Sequence, residues 1–205
     1  MKRILVTDIF GRTPELEAFA EKLTGEHAQV QIIDPYAGIY RQFMNEAQAY
    51  GAFSSEVGME GYIALLQAEL MSCGDDKISL VGFSAGAAAI WALSEHKVMG
   101  KVSGAVLFYG GQIRHYSRIN PVVPTHCIFP ALESHFSVEE LMLKLEGKTN
   151  LTLQQVPFLH GFMNPLSAHF SQPGFELFSN RLFEVREDEC LVNAIWPAFD
   201  GSLGC

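Results

Sequence analysis

Short apolar runs alternate with amphipathic segments along the chain, and this alternation predicts the order of its strands and helices. Six runs are apolar almost throughout, as in strands that are buried on both faces of a mostly parallel sheet. They cover Arg3–Ile9, Gln29–Asp34, Lys77–Phe83, Val102–Tyr109, Pro124–Phe129 and Asn150–Val156. Because these strands alternate with helices, we expect one α/β domain over residues 1–205, built on an open, doubly wound sheet.

The segments between the apolar runs carry helix signals. Thr13 is placed as an N-cap and Pro14 as the first helical residue, and an apolar face then continues to Leu23. Further helices are predicted over Glu60–Met71, directly after Ser84, over Ser137–Glu146 and around Glu187–Ile195. In an open parallel sheet the ligand site lies outside the carboxyl ends of the strands, so the loops that follow the strands are the ones to inspect.

Composition and charge narrow the class of function. Apolar residues make up 48% of the chain and charged residues 18%, which is typical of a soluble globular protein. The formal charge of −9 argues against nucleic acid or an anionic membrane as a partner. Asp8 interrupts the first apolar stretch too early for a signal peptide, and no run approaches the roughly 20 residues of a membrane span.

The four cysteines indicate a reducing environment. Cys73, Cys127, Cys190 and Cys205 are widely spaced and include no CxxC pair, so we expect neither a disulfide framework nor a zinc site. Cys127 lies in an apolar run and is expected in the core, whereas Cys205, the last residue, is expected to be a free thiol. The sequence therefore favours a cytoplasmic protein without a metal or an organic cofactor.

The segment KISLVGFSAGAAAIWAL carries the strongest chemical signal. It reads as a strand, then Gly82-Phe83-Ser84-Ala85-Gly86, then an alanine-rich helix. A G-x-S-x-G pattern between a buried strand and a helix is the nucleophile elbow, in which a strained turn raises the serine hydroxyl above the sheet. The adjoining helix N-terminus favours developing negative charge. Ser84 is therefore the candidate nucleophile.

A nucleophilic serine needs a base, and on this fold the order along the chain is serine, acid, histidine. Four histidines compete with His160 beyond the helix of Ser84: His115, His126, His135 and His169. His160 directly follows the last strand, and Gly161 permits a tight loop there. His126 falls within a strand and His169 beyond the expected loop, so His160 is the candidate base.

The supporting acid is found by elimination, because no aspartate lies between Ser84 and His160. The glutamates in this interval are Glu95, Glu133, Glu139, Glu140 and Glu146. Glu95 belongs to the helix after Ser84, and the last three belong to the helix over Ser137–Glu146. Glu133 alone follows directly on a strand, and it is therefore the candidate acid.

Several loop motifs together resemble those of the dienelactone hydrolase family over about residues 3–165. They are Asp8-Ile9-Phe10-Gly11, Asp34-Pro35-Tyr36, the elbow at Ser84, Tyr109-Gly110 and His160-Gly161-Phe162. The resemblance implies a lidless α/β-hydrolase fold, an oxyanion hole formed by the backbone amides of Ile9 and Ala85, and no cofactor. It also implies that Asp8 lies near the nucleophile without belonging to the triad, and Asp8 and Tyr36 are candidate substrate contacts.

Three features depart from the family pattern. The nucleophile of the best-known members is cysteine rather than the serine found at position 84, and their acid is usually aspartate rather than the glutamate found at position 133. Residues 170–205 do not resemble the usual final helix of the family. These differences leave the hydrolase chemistry in place but weaken the case for a dienelactone substrate.

Arginines occupy a distinctive set of positions. Arg12, Arg41, Arg114 and Arg118 all follow the carboxyl ends of predicted strands, and no lysine does. Since arginine binds carboxylates in a bidentate manner, the first three are candidate contacts for an anionic substrate. The alternative is that these loops carry charges of no special role.

The expected function is hydrolysis of a small ester or lactone through an acyl-enzyme, with anionic substrates as one option. One alternative is a general carboxylesterase or thioesterase that uses the same three residues. Another is a catalytically silent binding protein, which would follow if Glu133 could not reach His160. We expect a monomer or a homodimer with a small-molecule partner.

Overall fold

The computed structural model describes residues 2–24, 29–74, 76–185 and 190–195, which form six strands, seven α-helices and two short 3₁₀ helices. The strands are β1 (Lys2–Val6), β2 (Gln29–Ile33), β3 (Ile78–Phe83), β4 (Val102–Phe108), β5 (Thr125–Phe129) and β6 (Leu151–Gln155). The helices are α1 (Pro14–Thr24), α2 (Glu46–Glu56), α3 (Gly58–Ser72), α4 (Ala85–Leu93), α5 (Val138–Leu145), α6 (Gln172–Glu184) and α7 (Leu191–Ile195). The 3₁₀ helices are η1 (Lys97–Lys101) and η2 (Gly111–Tyr116).

The six strands form one parallel sheet in the order β2-β1-β3-β4-β5-β6. The chain moves outward from β1 to β2 and then returns to place β3 on the other side of β1, so the winding direction reverses between β1 and β3. A reversal of this kind opens a crevice at the carboxyl ends of the two strands. The loops that contain Asp8 and Ser84 follow these two strands. The parallel sheet, its reversed winding and its flanking helices confirm the predicted doubly wound α/β fold.

All six predicted strands are present, and their bounds agree within three residues. The largest difference is in β1, which ends at Val6 rather than Ile9. The chain turns there because the Asp8 carboxylate accepts a hydrogen bond from the Phe10 amide, and the Gly11 amide donates to the Asp8 carbonyl. A turn at this point moves Ile9 out of the sheet and over its edge.

An apolar core lies on each face of the sheet. The larger core contains Trp91 of α4 and Leu66 of α3, both with no exposed surface. The core on the opposite face is rich in aromatic residues from β3, β4 and α6, among them Phe108 and Phe178. Burial of both faces explains why the strands read as nearly continuous apolar runs.

Three helices differ from the expectation. Neither α2 nor α6 was predicted, and α3 begins at Gly58 rather than Glu60. The described part of the last helix is α7, while residues 187–189 of the predicted helix lie outside the described residues. Helix α6 lies within residues 170–205, the region whose sequence does not resemble the usual final helix of the dienelactone hydrolase family.

Three of the four cysteines lie in the described part of the chain. Cys73, Cys127 and Cys190 are free thiols. Cys127 has no exposed surface, as predicted, and burial raises the pKa of its thiol. Cys205 lies outside the described residues. Within the described ranges, no helix is both long enough and apolar enough to cross a membrane.

Candidate active site

Ser84 lies in a strained turn between β3 and α4. Its backbone has φ 49° and ψ −110°, a region that a residue with a Cβ rarely adopts. Gly86 lets the turn pack against β1, since a Cβ there would collide with the carbonyl oxygens of Val6 and Thr7. The turn places the serine side chain at the start of α4, where the helix dipole favours negative charge.

His160 contacts Ser84 from the loop that follows β6. Its Nε2 lies 2.9 Å from Ser84 Oγ. Gly161 has φ +84° and makes the tight turn that was predicted after the histidine. The imidazole packs on the ring of Tyr109, with the two ring centroids 5.0 Å apart. The ring is therefore held by packing as well as by hydrogen bonds.

Glu133 lies behind the imidazole. Its Oε1 is 2.6 Å from His160 Nδ1, and its side chain is 11% exposed. A carboxylate there favours the tautomer in which Nδ1 carries the proton and Nε2 accepts from the serine hydroxyl. Glu139 and Glu140, the competing acids, lie in the first turn of α5 and are exposed. The structure thus brings Ser84, His160 and Glu133 together in the predicted order.

The two predicted oxyanion donors, Ile9 and Ala85, lie beside Ser84 and line the same cavity. Neither backbone amide donates a hydrogen bond to another residue in the described part of the chain. The Ile9 loop is fixed from behind, because the Tyr36 hydroxyl donates to the Ile9 carbonyl at 2.7 Å. Two free amides beside a serine hydroxyl are the arrangement that stabilises a tetrahedral oxyanion.

Asp8 also lies at the site, as the family resemblance implies. Its side chain lines the cavity, but its oxygens already accept hydrogen bonds from the Phe10 amide at 2.9 Å and from Asn164 Nδ2 at 2.7 Å. Burial raises the pKa of the Asp8 carboxyl, while these two hydrogen bonds oppose the rise. Asp8 therefore holds the loop of Ile9 in place and stands outside the Ser84–His160–Glu133 chain.

A scan against models of protein families matches none of them. The Bacillus subtilis (strain 168) protein named "Uncharacterized protein YczH" is 34% identical over 132 residues. That alignment covers 63% of this chain and 64% of the relative, so it spans less than two thirds of the relative's length.

Solved structures identify the fold. The dienelactone hydrolase from Anabaena variabilis ATCC 29413 superposes with a TM-score of 0.58 at 16% identity, covering 87% of this chain and 83% of that one. The thioesterase domain from the curacin biosynthetic pathway gives a TM-score of 0.57 at 10% identity, covering 90% and 91%. The chain has the α/β-hydrolase fold. At these identities the likeness concerns the fold, and it confirms at that level the resemblance to dienelactone hydrolases.

The cavity above Ser84 has a volume of about 460 Å³. On the side of β1 and β2, the apolar lining residues are here called the apolar wall: Ile9, Phe10, Ala47, Tyr50, Phe53 and Met59. Asp8 and Glu46 line the cavity on the same side. On the side of β4 and β5, the lining residues here called the polar wall are Gly111, Gln112, Arg114, Glu133, Ser134 and His135, with Phe136 beside them. The apolar wall comes from the loop after β1 and from α2 and α3, and the polar wall comes from η2 and the loop after β5.

Arg114 is the one predicted arginine contact that the structure places on this cavity. Its guanidinium lies over the ring of Phe136, which also lines the cavity, at 5.0 Å from the ring centroid. Its Nη1 donates to the Gly111 carbonyl at 2.7 Å. A guanidinium has five donors, so this contact leaves several for a ligand.

Arg12, Arg41 and Tyr36 do not line the cavity, which corrects their prediction as substrate contacts. Arg12 lies against Glu17 of α1, with Nη1 3.6 Å from Oε1. Arg41 makes a two-pronged contact with Glu56 and stacks on Tyr36, 5.0 Å from the ring centroid. Local carboxylates thus neutralise both arginines, and Tyr36 supports the Ile9 loop from outside the cavity.

Three residues at the site were not predicted from the sequence: Asn164, Ser167 and Glu46. Asn164 and Ser167 follow His160 in the same loop, and the Ser167 hydroxyl donates to Glu46 Oε1 at 2.8 Å. Glu46 belongs to the first turn of α2, where the Asn45 side chain caps the helix. The pair Asn45-Glu46 is a start signal that could have revealed α2. Among the described residues, no cluster of His, Cys, Asp or Glu is arranged to hold a metal ion.

Proposed function

We propose that the chain is a serine hydrolase that cleaves a small ester or lactone through an acyl-enzyme. The observation that carries this proposal is the continuous set of contacts from Ser84 Oγ to His160 Nε2 at 2.9 Å and from His160 Nδ1 to Glu133 Oε1 at 2.6 Å. Both distances are within hydrogen-bond range, and the three side chains stand in the roles of nucleophile, base and orienting acid.

In the acylation step, His160 Nε2 takes the proton of the Ser84 hydroxyl as Oγ attacks the substrate carbonyl carbon. The carbonyl oxygen becomes an oxyanion, which the amides of Ile9 and Ala85 stabilise. Loss of one such donor typically costs about 2.7–4 kcal/mol of transition-state stabilisation. The protonated imidazole then donates its proton to the departing oxygen, and Glu133 stabilises the imidazolium throughout.

In the deacylation step, the same groups act on water. His160 removes a proton from a water molecule as its oxygen attacks the acyl carbon, and Ser84 Oγ departs and recovers the proton. Neither step requires a metal ion or an organic cofactor. The surroundings of Ser84 therefore hold every group that hydrolysis of an activated carbonyl demands.

The substrate is proposed to be a small neutral or anionic molecule. A cavity of about 460 Å³ suits a small ligand, and the formal charge of −9 disfavours nucleic acid. Arg114 could pair with a carboxylate on the substrate. A carboxylesterase or thioesterase would use the same chemistry with a different leaving group. A cytoplasmic location is proposed from the cysteine spacing, because widely spaced cysteines without a CxxC pair favour a reducing compartment.

A fluorophosphonate probe tests the proposal, because it reacts with a serine only when a base activates the hydroxyl. We expect labelling of the wild type, none in Ser84→Ala and a strong decrease in His160→Ala. Ser134→Ala is the matched control, since Ser134 lines the same cavity and, among the described residues, no hydrogen bond joins it to a histidine as one joins Ser84 to His160. A folded wild-type protein that remains unlabelled would favour the catalytically silent binding protein instead.

A substrate panel then separates the reaction classes. It consists of short p-nitrophenyl esters, simple thioesters and small lactones, each measured with the wild type and Ser84→Ala. Turnover of oxygen esters and lactones above thioesters supports the proposed function. A clear preference for thioesters would instead assign the protein to the thioesterase alternative.

A further inference from the structure

The two walls of the cavity lie on opposite sides of Ser84 in the order of the sheet. Ser84 follows β3, the apolar wall is built on the elements after β1 and β2, and the polar wall follows β4 and β5. A substrate bound to Ser84 therefore presents one half to each wall. The question is which half of the ester contacts which wall.

The position of the base answers this question. His160 must donate a proton to the oxygen of the leaving group, so the leaving group lies on the side of the imidazole. Glu133, 2.6 Å behind that imidazole, is itself part of the polar wall. The leaving group accordingly extends along the polar wall, and the acyl group extends the other way, past the Ile9 amide and along the apolar wall.

The apolar wall is continuous with the protein core. Phe53 is a buried member of the larger core, and Ile9 and Met59 pack against that core. Tyr50 lies one helical turn before Phe53 on α2 and is 60% exposed, so the wall continues from the buried floor to the mouth of the cavity. An aliphatic chain laid along this surface would be shielded from water on the side that faces the wall, most completely near Phe53.

The borders of the apolar wall disfavour a charged acyl group. The carboxyl groups of Asp8 and Glu46 line the cavity next to it, while Arg114 lies on the opposite wall. A negatively charged acyl group would therefore meet two acidic side chains and lie away from the Arg114 guanidinium. A carboxylate on the leaving group would instead lie on the same side as Arg114.

Given the proposed function, we infer that the substrates are esters of apolar carboxylic acids, whose acyl chain binds to the apolar wall and whose leaving group is polar. We expect kcat/KM to depend on the length of the acyl chain, because the chain packs against the apolar wall. The alcohol or phenol part of the ester is bound by hydrogen bonds from the polar wall.

The inference is tested with two series of esters on the full chain. In the first series, p-nitrophenyl esters run from acetyl to octanoyl, so that only the acyl chain changes. Each methylene that enters the apolar wall should raise kcat/KM about fourfold until the wall is filled, from the usual gain for burying a CH₂ group. In the second series, acetate esters of linear alcohols of increasing length should show no such rise.

Met59→Gln places a polar group of similar size in the apolar wall. It should decrease the rise to less than about twofold per methylene, because a chain carbon would then contact an amide. Met71→Gln is the matched control, since Met71 belongs to the same helix, is 66% exposed and does not line the cavity. The control should keep the wild-type dependence on chain length.

Each result decides between the alternatives. A flat acyl series, or a rise in the alcohol series instead, overturns the inference while fluorophosphonate labelling keeps the proposed function intact. A rise that Met59→Gln leaves unchanged also overturns it, because the chain would then bind elsewhere. Failure of labelling and of hydrolysis in both series refutes the proposed function itself.

Discussion

Asn164 Nδ2 donates a hydrogen bond to Asp8 Oδ2 at 2.7 Å, and this contact joins two loops that are 156 positions apart in the chain. One loop carries His160, the proposed base, and the other carries Ile9, the proposed oxyanion donor. The contact therefore helps to fix the distance between the two proposed catalytic groups.

Replacement of Asn164 by alanine should decrease turnover without loss of the fold. The Asp8 carboxyl would lose one of its two donors, and the Ile9 and His160 loops would no longer be held together. Because misplacement of reacting groups mainly affects the chemical step, we expect kcat to fall about tenfold with little change in KM. Steady-state kinetics on the best ester measures this, with the exposed Asn120→Ala as control. An unchanged kcat would show that the contact has no positioning role.

Glu133→Gln should decrease kcat by about 100-fold or more, since the amide can neither stabilise an imidazolium nor select the proper tautomer. The folded state should persist, as judged by circular dichroism. Glu139→Gln and Glu140→Gln serve as controls, and both should retain wild-type turnover because these side chains are exposed on α5. Loss of turnover in either control but not in Glu133→Gln would assign the acid to α5 instead.

Arg114→Ala should act only on substrates that carry a carboxylate on the leaving group. We compare 4-acetoxybenzoate with its methyl ester and expect a loss of about 10–100-fold in kcat/KM for the acid alone, from the strength of a shielded Arg–carboxylate pair. The exposed Arg118→Ala is the control. Equal rates for acid and ester in both the wild type and Arg114→Ala would exclude an anion site on the polar wall.

His126 should lower the free energy of unfolding of the protein at acidic pH. It lies in β5 with no exposed surface, and burial lowers its pKa to about 4 in the folded state. An unfolded chain binds this proton at its ordinary pKa of about 6.5, so the free energy of unfolding should decrease as pH falls from 6.5 to 4, by about 3 kcal/mol in total. Denaturant titrations at several pH values measure this decrease, which His126→Leu should diminish. The same slope in both proteins would contradict the assignment.

The inner strands of the sheet could be predicted from the sequence because burial on both faces leaves a direct mark on each of them. All residues of β3, for example, are buried, so its six positions read as one uninterrupted run. Helix α2 left no such mark. It buries only Ala49 and Phe53, and Gly51, Ser54 and Ser55 interrupt its pattern, so its position depends on tertiary packing that no local window contains.

The same limit applies to the site. Ser84, Glu133 and His160 were predicted because each lies in the loop that follows a strand, β3, β5 or β6, and the topology brings the ends of these strands to one edge. Arg12 and Arg41 satisfy the same rule, yet each has its own carboxylate partner, Glu17 or Glu56, which draws it away from the cavity. Position after a strand predicts which edge a residue occupies, whereas the direction of a long side chain depends on its neighbours.

The strand order also has a kinetic consequence. The elbow of Ser84 can form from adjacent residues. His160, the proposed base, lies 76 positions further along the chain, in the loop after the edge strand β6. Parallel strands pair only after their long crossovers have closed, which slows the assembly of such sheets. During refolding, reactivity of Ser84 toward a fluorophosphonate should therefore develop only when β6 has docked, later than the burial of Trp91 in the core beside β3. Rapid-quench labelling would then measure the rate of the last stage of folding through the reactivity of one atom, Ser84 Oγ.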